Sequence, residues 1–180
     1  HTAIRRQRQM CIRDSVDTVH AIDISEIARD ASTHADYVSE KIDQQEIDLV
    51  IIATPSKLHA AQAKELMEKG YHVLVEKPLG CCEAEAAQVL ASAQENGRMV
   101  SVGLLLRFHP AVQTAKRMIS NGKIGRIESL RFVRRTERPA PHDGNVIESL
   151  GVHAIDLMCH LMNESEPVSY THLRAHETSP

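Results

Sequence analysis

The 180-residue chain contains no tryptophan, two phenylalanines and three tyrosines, so any core it builds is aliphatic. It has no excess of positive charge. Its 21 Lys and Arg stand against 24 Asp and Glu, a formal charge of −3, which argues against a nucleic-acid binder working through a basic surface. Long apolar runs are missing too: Leu49 to Ala53 and Val102 to Leu106 are typical of the longest, far short of a bilayer span. No apolar stretch near the N-terminus reads as a signal peptide, so no membrane partner is expected and the expected location is cytoplasmic. The four cysteines include the adjacent Cys81 and Cys82 and no C-x-x-C pair, which indicates neither a disulfide framework nor a structural zinc site. Glycine is scarce as well. The eight present, at 70, 80, 97, 103, 122, 125, 144 and 151, form no G-x-G-x-x-G turn.

What is present is globular in composition, 42% apolar and 25% charged, enough to bury a core. The ends read differently from the middle. Residues 1–15 carry four Arg and one Asp, and residues 168–180 hold two His without apolar periodicity. Both resemble translated library-adapter sequence and are set aside as non-native tails. The first tail contributes +3 and the last contributes nothing, which leaves the body, 16–167, at −6.

The body alternates strands and helices. Asp48 to Thr54 is a short β-branched run closed by Pro55, which predicts a buried strand. Residues 57–69 have helical spacing and end at Gly70, a C-terminal cap. His72 to Val75 is a second strand, 83–95 a second helix closed by Asn96-Gly97, and Met99 to Leu106 a third strand. Upstream, Thr18 to Ile22 is one more strand ending at Asp23. Two strand–helix–strand crossovers of this length imply parallel strands, hence a doubly wound α/β sheet of the Rossmann type. After Pro110 the pattern changes: a helix over 111–120, a strand over Ile127 to Val133, a loop over 139–145 and a helix over 150–162. The expected organisation is a partial dinucleotide-binding domain over 16–108 and the start of an α/β C-terminal substrate domain over 109–167.

Ligands of open parallel sheets bind where the strands' carboxyl ends meet loops and helix N-termini. The three central strands run into Thr54-Pro55-Ser56, Glu76-Lys77-Pro78 and Arg107-Phe108, so all three tips line one edge. Lys77, held between a strand and a proline, is poorly placed to swing into water and is the leading functional candidate there. On the last helix His153, Asp156 and His160 fall at i, i+3 and i+7 and share one polar stripe. That stripe suits a solvated helix surface first, a carboxylate-assisted acid/base second and a metal site, as in a metal hydrolase, a distant third. His59, on the first turn after Ser56, lies near the same edge, where a lone histidine is more often structural. Cys81 and Cys82 open a helix, a position that can lower a thiol pKa, but small buried cysteines are the commoner outcome. His34, His72 and His142 point to nothing beyond loops and strand edges.

The run Asp48 to Gly80, DLVIIATPSKLHAAQAKELMEKGYHVLVEKPLG, resembles the Gfo/Idh/MocA oxidoreductases. So do VGLLLRFHPAV at 102–112, GKIG at 122–125 and VIESLGVHAIDL at 146–157, in the same order and spacing. The resemblance implies a Rossmann domain, a C-terminal domain on an open sheet, and hydride transfer between NAD or NADP and a sugar, sugar-nucleotide or polyol carbon. It makes Lys77 the lysine beside the nicotinamide, His153 the acid/base and Asp156 its helical companion. It places Thr54, Pro55, Ser56, His59, Glu76 and Arg107 along the dinucleotide, and Asp23 on the adenosine ribose. It also implies a homo-oligomer for the full-length parent. Two features depart from the family pattern. Ser149 stands where the family has an aspartate four residues before the histidine, which raises a non-catalytic binding or regulatory member as the alternative. The glycine-rich phosphate turn is also missing, so the chain as it stands is expected to bind a dinucleotide weakly and not to turn over substrate.

Overall fold

The computed structural model describes residues 16–133 and 151–163, apart from 24, 27–29, 31, 33, 34 and 43–46. The chain divides into two compact units, His1–Ile47 and Asp48–Pro180. In the first, β1 (His20–Ile22) pairs in parallel with β2 (Tyr37–Ser39), His20 opposite Tyr37. The ladder is extended by Asp36 N–H to the Val19 carbonyl at one end and by Asp23 N–H to the Ser39 carbonyl at the other.

The second unit holds a sheet of three parallel strands in the order β3 (Leu49–Ile52), β4 (His72–Val75), β5 (Val100–Val102). The crossovers are α1 (Ser56–Glu68) and α2 (Glu83–Glu95). This is the parallel α/β layer that the alternating sequence pattern predicts. The two helices pack on each other, and α1 packs on β3 and β4. Between them lies an aliphatic core of Ile52, Ala60, Ala63, Met67, Val73, Val75, Val89 and Ala93. Leu49 and Ile51, which alternate with Val50 and Ile52 along β3, are exposed on the other face, as a period of two requires.

Local chemistry fixes the helix ends. At the end of α1, Gly70 takes φ +95° while Gly70 N–H reaches the Met67 carbonyl and Tyr71 N–H the Leu66 carbonyl. This six-to-one closure needs a left-handed residue, which glycine supplies at least cost. α2 closes the same way, with Gly97 at φ +60° and Arg98 N–H on the Ala93 carbonyl. At its start, Glu85 accepts the Cys81 backbone N–H at 2.7 Å, and Glu83 and Glu85 oppose the helix dipole. Gly80 is required for a different reason: a Cβ there would lie 2.8 Å from Glu85 Cβ and 3.0 Å from the Ala86 nitrogen.

Two strand expectations are corrected. The third central strand is only Val100–Val102, not Met99 to Leu106. Gly103 N–H closes the ladder on the Val75 carbonyl, and Leu104 N–H turns back to the Val102 carbonyl, so the chain leaves the sheet and winds into a 3-10 turn, Leu105–Phe108. Residues 127–133 form no strand: among the described residues no neighbouring backbone pairs with them, and apolar content without a ladder partner makes no sheet. The helices beyond the 3-10 turn are α3 (Pro110–Ser120) and α4 (Val152–Met162). Pro110 sits at the start of α3, where its missing N–H costs nothing, and His109 Nδ1 accepts Ala111 N–H. Residues 1–15, 134–150 and 164–180 lie outside the described residues, and with them both expected tails, the 139–145 loop, His142 and Ser149. His34 is also outside.

Candidate functional site

Parallel pairing of β3 with β4 and of β4 with β5 brings the carboxyl ends of the three strands to one edge. β3 leads into Thr54-Pro55-Ser56, the entry to α1. Its start has no side-chain cap and no acidic residue in the first turn, so its positive end is not neutralised from within. The Thr54 hydroxyl is engaged with the Gln62 amide oxygen at 2.6 Å. Next along the edge, Glu76 N–H donates to the Ile52 carbonyl at 2.9 Å. Glu76, Lys77 and Pro78 are all half-buried. The backbone of Gly103 passes close by, a Cβ there meeting Glu76 Oε2 at 3.4 Å.

His59 is placed beneath this edge. It is 2% exposed, with Nδ1 2.7 Å from the Pro78 carbonyl oxygen and Nε2 2.8 Å from the Thr54 carbonyl oxygen. Each ring nitrogen faces a backbone carbonyl, so His59 ties together the two loops of the edge along which the resemblance sets the dinucleotide.

Arg107 does not sit at a strand tip. It lies in the 3-10 turn, five residues beyond β5, and turns toward α4. Its Nε donates to Asp156 Oδ1 at 2.8 Å, and a second guanidinium N–H reaches the same oxygen. The Asp156 side chain is 8% exposed and that of Arg107 42%. The hydrogen bond to Asp156 is the main reason that the guanidinium pKa lies above its ordinary value, with partial burial opposing it and the carboxylate's charge adding to it. α4 packs directly on the 3-10 turn. The polar stripe of α4 is therefore not a solvated surface: His153, Asp156 and His160 are all partly buried, and His160 Nε2 is buried without a hydrogen-bond partner. Among the described residues no three metal-ligating side chains converge, so the stripe does not form a ligand set.

Lys116 is a residue that sequence reasoning missed. From α3 its ammonium donates to the His160 backbone carbonyl and lies 3.4 Å from Asn163 Oδ1, closing the C-terminal end of α4, where cations are favoured. A partner 44 positions away leaves no local signal. Asp23, in the other unit, is exposed directly after β1 and accepts Ser25 N–H at 2.8 Å.

The edge suits a nicotinamide dinucleotide in part. The uncapped start of α1 is a place that favours an anion, and half-buried Lys77 stands on the same strand edge, whereas none of the eight glycines builds the phosphate turn. Among the described residues no helix is long and apolar enough to cross a membrane.

Comparison with known proteins agrees with this architecture. Residues 5–104 match the model described as "Oxidoreductase family, NAD-binding Rossmann fold", and residues 112–179 match the "GFO/IDH/MocA C-terminal domain". The chain is 31% identical to inositol 2-dehydrogenase 2 of Saccharopolyspora erythraea over 95% of its own length and 51% of that protein's. It is 35% identical to the UDP-N-acetylglucosamine 3-dehydrogenase of Acidithiobacillus ferrooxidans over 68% of the chain and 38% of that protein. A crystal structure of a putative myo-inositol dehydrogenase from Sinorhizobium meliloti superposes with a TM-score of 0.71 at 22% identity, covering 83% of this chain and 48% of the other. The last likeness is one of fold. The chain spans about half the length of these relatives or less.

Proposed function

The chain belongs to the Gfo/Idh/MocA oxidoreductase family, and on that premise we propose that it serves an NAD(P)-dependent dehydrogenase acting on a CH–OH group of a sugar, sugar nucleotide or polyol. One observation carries the reading. The helix bearing His153 and Asp156 is tied by the Arg107–Asp156 bond to the segment that leaves the sheet edge at β5, the same edge on which Lys77 follows β4. Two relatives named as dehydrogenases of inositol and of a nucleotide-linked sugar support the substrate class.

In this reading 16–108 is the dinucleotide-binding part and 109–167 begins the substrate part. Thr54, Pro55, Ser56 and Glu76 flank the dinucleotide, and Asp23 meets its ribose. The bound nicotinamide supplies the hydride acceptor or donor. The protein's share is the proton and its placement. His153 takes the hydroxyl proton as the C–H bond breaks, or returns it in the reverse direction. Lys77 stabilises the negative charge that grows on that oxygen. Arg107 fixes Asp156, and with it the α4 backbone that carries His153. No nucleic acid takes part, and the active form is a homo-oligomer.

The test is turnover by the protein expressed from its uninterrupted reading frame. It is expected to reduce NAD or NADP with at least one member of a panel of polyols, amino sugars and sugar nucleotides. Failure to bind either cofactor overturns the reading. Ser149 in place of the family's aspartate favours a second one, a binding or regulatory member, which predicts that cofactor binds and no panel member turns over. The 180-residue chain itself is expected to bind NAD and NADP more weakly than micromolar, about −8 kcal/mol, in a calorimetric titration.

A further inference from the structure

Among the described residues the polar residues buried as a whole are His59 and Ser92. Ser92 lies within α2, where the Asn96 amide donates to its backbone carbonyl and its hydroxyl. His59 links separate parts of the fold. The β3–β4 ladder ends with Glu76 N–H on the Ile52 carbonyl. Beyond that rung the two chains diverge into the Thr54 and Pro78 loops, and the imidazole occupies the space between their carbonyls, 2.8 and 2.7 Å away. A carbonyl oxygen only accepts, so each contact is a hydrogen bond where the facing ring nitrogen carries a proton. A backbone carbonyl turned inward with no such donor is costly; a neutral ring has one N–H, so it bonds one of the two loops and fills the space against the other.

We propose that His59 is a positioning residue: its ring holds the Thr54 and Pro78 loops at a fixed separation and so sets where Lys77, the residue before Pro78, emerges on the sheet edge. The consequence for hydride transfer rests on the functional reading above. The strut itself does not.

Two conservative variants separate the two contacts, because an asparagine amide mimics Nδ1 and a glutamine amide mimics Nε2. Amide hydrogen exchange of the 180-residue chain, read by mass spectrometry over 53–56, 76–80 and the α2 segment 83–95, tests them. His59→Asn is expected to keep 76–80 protected and, by loosening the loop whose Thr54 carbonyl loses its contact, to speed exchange of the amides in 53–56 by roughly fivefold. His59→Gln is expected to do the reverse, and α2 to stay unchanged in both. Equal release of both loops by both variants, release extending through α2, or no release at all overturns the proposal. Exchange is read without dinucleotide or substrate, so its failure is distinct from failure of the cofactor and turnover tests.

Discussion

The α/β layer and the α3–α4 region of the second unit are held together by different physics. In the layer, β3, β4, α1 and α2 enclose Met67, Val73, Val75 and Val89, each at most 1% exposed. In the other region Leu157 is the buried hydrophobic among the described residues, and α3 buries none. Its elements are joined instead by Arg107 to Asp156 and by Lys116 to the end of α4. Aliphatic burial is non-directional and is not screened by salt, whereas a partly exposed ion pair is directional and screened. The difference teaches where each kind of precision is needed. A packed layer makes a rigid edge, and a few polar ties orient a helix against it.

The largest blow to this contrast comes from the layer. Met67→Ala removes a fully buried side chain and should cost about 2–5 kcal/mol, seen as a lower urea midpoint and as faster amide exchange throughout β3, β4 and α1. Gly80→Ala comes next. The added methyl meets the Glu85 Cβ and the Ala86 nitrogen, and roughly 1–3 kcal/mol is expected as α2 shifts. Asp156→Ala should cost about 1–2 kcal/mol, the smaller figure reflecting an Arg107 that recovers water on its exposed side. Its exchange signature should be confined to α4, and half-molar salt should shrink the difference from the unsubstituted chain. Spread of that signature into the layer would erase the distinction drawn here. The same pair gives a pH expectation. The Arg107 pKa is raised in the fold, so its contribution is present below the guanidinium range and is lost only as pH climbs through it. The stability gap to Asp156→Ala should therefore not shrink between neutral pH and the lysine range. Lys69→Ala is the smallest change: its bond to Glu65 joins two exposed side chains, and no resolvable shift in Tm is expected.

The helices were legible because their ends are written locally. The expected 57–69 and 83–95 became Ser56–Glu68 and Glu83–Glu95, since Gly70 and Gly97 can stop a helix and little else there can. Strand ends were less legible. Leu104 to Leu106 have the apolar content of a strand, but the turn after Gly103 depends on bonds to Val75 and Val102, which no local pattern announces. The site divided along the same line. Lys77 could be placed from its strand and its proline. That Arg107 would serve Asp156, 49 positions on, and that His59 would set both nitrogens against backbone carbonyls, are long-range facts of assembly.

The strand order has a consequence for how the layer forms. Because β3, β4 and β5 lie side by side in chain order, Leu49 finds its partner His72 only 23 positions on, and Val73 finds Val100 only 27 on. Closing two loops of nearly equal length costs nearly equal entropy, and low sequence separation between partners favours fast folding. Each crossover can be completed as soon as its own segment has left the ribosome, before α3 or α4 exists. The edge that carries Lys77 therefore needs nothing from the helix that carries His153, which packs on the turn that follows β5.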